Sequence, residues 1–137
     1  MAILTDALLG FLNTKQMERE SLQDYSRRYR LAREVAEEHW GGPIVLYGTC
    51  KREQEAFKKK ERRDMTMDEI AENIEKASDR FHAYIYLSNS DQSKYGSITQ
   101  TLITQKSLGN NQYPTSISKV NHVLSNHKHD NLSLIHI

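Results

Sequence analysis

Between Thr66 and Leu87 the apolar residues Ile70, Ile74, Ala77, Phe81 and Ile85 recur every three or four positions. That period lines side chains along one face of an α-helix, whereas a strand would alternate them residue by residue. Thr66 and Glu69 have the spacing of a capping box, in which each side chain satisfies a backbone N–H at the helix start. The stretch is therefore expected to be helical to about Leu87.

The same period runs through the rest of the chain. Leu4, Leu8, Phe11 and Leu12 predict a short helix over 1–13. Leu22, Tyr25, Tyr29, Ala32 and Ala36 share a face behind a Ser21 cap, and Gly41, Gly42 and Pro43 stop that helix. After the turn-rich Ser88 to Asp91, Tyr95, Ile98, Leu102 and Ile103 mark a fourth stripe, closed by Lys106 and Gly109. Ile117, Val120 and Leu124 mark a fifth, with Thr115 or Ser116 as its cap. Five stripes without strand alternation predict an all-α chain, a small bundle of about five amphipathic helices. No repeat of fixed length is visible.

Only 37% of the residues are hydrophobic and 27% are charged, so any core must be built from narrow stripes. Lys and Arg number 19 against 18 Asp and Glu, and the formal charge of +1 provides no global field for an acidic partner. The single Cys50 allows no internal disulfide. No leader or membrane-length apolar run is seen, so the chain reads as intracellular, cytoplasmic and without a membrane partner. It divides into a helical segment at 1–43, a basic connector or helix at 44–65, and a second helical segment at 66–130. Ile44 to Cys50 is expected to be irregular or to begin the next helix. The last six residues, Leu132 to Ile137, look like the translation of a transposase end sequence used in DNA library preparation, so 131–137 reads as an artefactual tail.

Few residues suggest chemistry. The run Lys51, Arg52, Lys58, Lys59, Lys60, Arg62 and Arg63 offers the clustered cations that sequence-independent phosphate binding needs. Glu53, Glu55 and Glu61 dilute it, and an ordinary solvated helix, with Glu55 and Lys59 paired at four-residue spacing, explains the same residues without any ligand and is the favoured reading. His122, His127 and His129 lack the paired thiolate or imidazole ligands of a structural zinc site and read as solvated. Cys50 as a nucleophile needs a positioned base, so a buried structural cysteine is favoured. The tyrosines at 25, 29, 84, 86, 95 and 113 can stack on bases, but their places on or beside apolar stripes favour the core. No nucleophile elbow, phosphate-binding glycine loop or carboxylate pair is recognisable.

From Gln16 to Tyr29, the residues Gln16, Glu20, Leu22, Tyr25, Arg28 and Tyr29 resemble the major homology region of retroviral and retrotransposon Gag capsids. Met17 stands where many retroviral members have glycine. Asp91, Lys94-Tyr95-Gly96, Leu102, Gly109, Tyr113-Pro114 and Leu124 resemble Gag-like reading frames of copia-type elements. The resemblance implies a capsid-like fold in which Gln16, Glu20 and Arg28 form a buried hydrogen-bond network tying a turn to the next helix. It also implies a non-enzymatic capsid fragment that self-assembles into virus-like particles as a homo-oligomer and packages element RNA. No cofactor belongs to this segment, and a zinc knuckle is expected downstream, where much of the RNA contact would lie. Two other classes stay open: a host-encoded or domesticated helical protein–protein interaction module, and an enzyme fragment whose polar side chains converge from several helices.

Overall fold

The computed structural model describes residues 2–45 and 64–127 of the chain. Among them are five helices and no strand: α1 (Ala2–Leu12), α2 (Leu22–Trp40), α3 (Met67–Ser88), α4 (Gln92–Ser107) and α5 (Ile117–Asn126). The expected all-α bundle is present.

The helix ends follow local chemistry. The Ser21 hydroxyl caps α2 by accepting from the Asp24 N–H, and Gly41, at φ +99°, closes it by donating its own N–H to Glu37 O. A side chain at that left-handed position would cost about 1 kcal/mol, which is why glycine suits it. Both halves of the α3 capping box form: Glu69 N–H donates to Thr66 Oγ1 at 3.1 Å and Thr66 N–H to Glu69 Oε1 at 3.0 Å. Asp91 caps α4, and Ser116 rather than Thr115 caps α5.

α1 packs along α2, while α3 packs on α4 and α5. One buried cluster runs from Phe11 through Tyr25, Tyr29 and Tyr86 to Leu102 and Leu124. At its centre the Tyr25 and Tyr86 rings stack at 4.3 Å, and Tyr29 meets Tyr86 edge-on at 5.4 Å. The hydroxyls of this stacked pair are both hydrogen-bonded: Tyr25 Oη donates to Tyr86 O at 2.6 Å, and Tyr86 Oη to Asn121 Oδ1.

Burial on α3 departs from its apolar stripe. Only Ala77 of that stripe is buried, with Ile70, Ile74, Phe81 and Ile85 partly so. His82, Ala83, Tyr86 and Leu87 are buried instead; by helical geometry the last three lie toward the far side of the helix from the Ile74–Phe81 line and His82 on its flank. A stripe predicts one covered face, but α3 has neighbours on several sides. Tyr84 also departs from the core reading, being 54% exposed, and Tyr113 is half-buried. Tyr25, Tyr29, Tyr86 and Tyr95 are buried. No helix among the described residues is long and apolar enough to cross a membrane.

Candidate functional site

The nonhelical link between α1 and α2 has backbone groups that no helix ladder can satisfy. Three side chains do so. Gln16 Nε2 donates to Glu20 O at 2.9 Å, while Gln16 Oε1 accepts the Asp91 N–H at 2.8 Å. The Gln16 N–H itself donates to Asn89 O at 2.9 Å. One residue thus closes its own turn and fastens that turn to the α3–α4 junction.

Glu20 and Arg28 complete the arrangement. Arg28 Nε donates to Glu20 Oε2 and its Nη2 to Glu20 Oε1, both at 2.6 Å, and Nη2 also reaches Lys15 O at 2.6 Å. Glu20 Oε1 further accepts the Met17 N–H at 3.1 Å. This is the two-pronged fork that only guanidinium makes with carboxylate. The Arg28 hydrogen bonds hold the Glu20 carboxyl below its usual pKa against the opposing effect of burial, and the same bonds raise that of Arg28. Glu20's side chain is 10% exposed and Arg28's 37%, so the carboxylate is the better covered partner and the guanidinium is open to water. The carboxylate is fully engaged, so the arrangement fixes geometry and offers no free acid or base.

The structure therefore brings Gln16 and Glu20 of the link together with Arg28, which reaches back from α2. It adds partners not foreseen from sequence: Asn89, whose Nδ2 donates to Leu12 O at 2.8 Å, and the Asp91 N–H. Asp91 already stood out in the second resemblance, but its role as the far anchor of Gln16 required the fold. The basic run Lys51, Arg52, Lys58, Lys59, Lys60, Arg62 and Arg63, and Cys50, lie outside the described residues, as does His129.

Behind this turn, Arg33 Nε pairs with Glu37 Oε1 at 2.6 Å and its Nη2 with Asp79 Oδ1 at 3.2 Å. These groups line an open cleft of about 410 Å³ between α2, α3 and the start of α5, with Arg30, Glu34 and Glu75 also at its wall. The cleft gathers polar side chains from three helices, yet Arg33 is already neutralised there, and the Ser116 hydroxyl is engaged as a cap accepting from Lys119 N–H. Among the described residues, no group of three or more His, Cys, Asp or Glu is placed to hold a metal ion. His122 is exposed and His127 half-buried.

Sequence reasoning missed His82, which is fully buried with its Nδ1 against Tyr29 Oη. Nothing in the pattern flags it, because it sits off the apolar stripe of its own helix. Comparison with known protein families, with curated proteins and with solved structures finds no match to this chain.

Proposed function

We propose that this chain is a non-enzymatic capsid segment of a retrotransposon Gag polyprotein, which self-assembles into virus-like particles in the cytoplasm and takes part in packaging element RNA. The observation that carries this reading is the Gln16–Glu20–Arg28 clasp. Three of the residues that resemble the major homology region, Gln16 and Glu20 in the α1–α2 link and Arg28 on α2, join in one set of hydrogen bonds that docks this link onto the α3–α4 junction. Surface for homotypic contact is available on α2, where Leu31 is 62%, Val35 41% and Trp40 54% exposed. Burying such residues between subunits is how helical assembly proteins associate.

Light scattering on the full-length protein tests the reading. Large particles, lost in Arg28→Ala, are expected; a protein that stays monomeric at all concentrations counts against it. Leu31 and Val35, one turn apart on α2, equally fit a second reading, a host-encoded helical interaction module that binds a partner's helix. In that case the monomer would take up one partner and form no particles.

A further inference from the structure

The Tyr84 and Tyr113 rings stack at 6.1 Å with their planes 30° apart, and Tyr84 leaves 54% of its surface open. Lys106 Nζ sits 5.9 Å from the centre of the Tyr113 ring. Beside it lies an open pocket of about 470 Å³, mainly apolar, whose wall includes Tyr113, Pro114, Lys119 and His122. That volume falls within the range of small-ligand clefts. No Asp or Glu lines it. The sequence extends this bias: from Gln92 to His129 the chain has no acidic residue but carries Lys94, Lys106, Lys119 and Lys128. The nearly neutral whole hides a wholly basic stretch.

An exposed aromatic face beside cations, adjoining a pocket without carboxylates, is the kind of surface that binds unpaired bases, with stacking for the base and lysine for the phosphate. We infer that the Tyr84–Tyr113 pair with Lys106 and Lys119 is a binding site for single-stranded RNA, distinct from the basic run at 51–63. The inference rests on the capsid reading only in choosing RNA over single-stranded DNA. Particle formation is read separately, so either can fail alone.

Fluorescence anisotropy of a labelled oligouridylate, titrated with the full chain, tests it against an abasic oligomer of equal length. The expected result is tighter binding of the oligouridylate. Tyr84→Ala should weaken that binding about tenfold and erase the preference for bases, while Tyr84→Phe keeps both. Lys119→Gln should lower the slope of log affinity against log salt by about 0.7 and keep the base preference. Helical circular dichroism checks folding, and Lys119→Gln, at an exposed position, probes the same surface should Tyr84→Ala unfold. Equal binding of abasic and base-bearing oligomers, unchanged affinity in Tyr84→Ala, tighter binding of duplex than of single strand, or no binding at low salt would overturn the proposal.

Discussion

Tyr29 Oη and His82 Nδ1 lie 2.8 Å apart, and neither residue has any solvent exposure. The other ring nitrogen, Nε2, has no hydrogen-bond partner and stands 3.8 Å from Glu37 Oε1. A carboxylate at that distance would favour an imidazolium, but Arg33 already holds the same oxygen at 2.6 Å. Burial, aided by the Arg33 charge, pushes the His82 pKa down to about 3, so the ring is neutral in the folded protein.

Stability should consequently decline as pH falls. The unfolded chain protonates His82 near its ordinary value of 6.5, whereas the folded chain resists until about 3. Between these values the unfolded state binds more protons, so stability drops by on the order of a few kcal/mol across that window. Glu20, with its lowered folded pKa, adds a further loss confined to the acid range below its ordinary 4.5. Urea unfolding midpoints at neutral pH and near pH 5 check the first effect. Proton NMR showing His82 titrating at its ordinary value would falsify it.

Arg28→Ala should destabilise the fold by about 2 kcal/mol, because it strands Glu20 in its nearly buried place and frees Lys15 O. Exposure of the guanidinium keeps the cost below that of a fully enclosed pair. Arg28→Lys should recover less than half, since an ammonium cannot grip both carboxylate oxygens. Chemical denaturation of the two variants side by side measures this; equal stability of Lys and Arg would show that the fork does not matter.

Gln16→Ala removes the bond to Asp91 N–H and the bond to Glu20 O together. The expected loss is roughly 1–3 kcal/mol. Amide exchange at Asp91 should accelerate more than exchange deep in α5, because the clasp holds that junction locally. Uniform acceleration across the molecule would point to global unfolding instead.

Two tyrosine-to-phenylalanine changes should diverge in sign. Tyr113 Oη is buried without a hydrogen-bond partner, and burial raises its pKa to about 12. Removing that hydroxyl should be neutral or stabilise by up to about 1 kcal/mol. Tyr29→Phe leaves His82 Nδ1 without its partner and should cost about 1–2 kcal/mol. Thermal melts of the pair at neutral pH decide it.

Helix positions and their caps were readable from sequence because they depend on near neighbours. Ser21, Thr66 with Glu69, and Gly41 act within four residues of themselves. Gln16, Glu20 and Arg28 were picked out by resemblance, and their bonds to one another span no more than eight residues along the chain. Asn89 and Asp91 lie more than seventy residues from the groups they meet, and no local pattern carries such a pairing. His82, which no pattern singles out, and Tyr84, which the pattern places in the core, escape sequence reading for a related reason. Periodicity reports how apolar a helix face is, whereas burial depends on which other helices arrive beside it.

The clasp has a consequence for how the chain can be cut. Leu12 with Asn89, Gln16 with Asp91 and Tyr25 with Tyr86 each join the part before Pro43 to the part after Asp64. These junctions are noncovalent, and every one of them lies within the described residues. Two separate polypeptides, ending at Val45 and beginning at Asp64, should therefore find each other and co-purify as a split protein, with Gln16→Ala loosening the reunion.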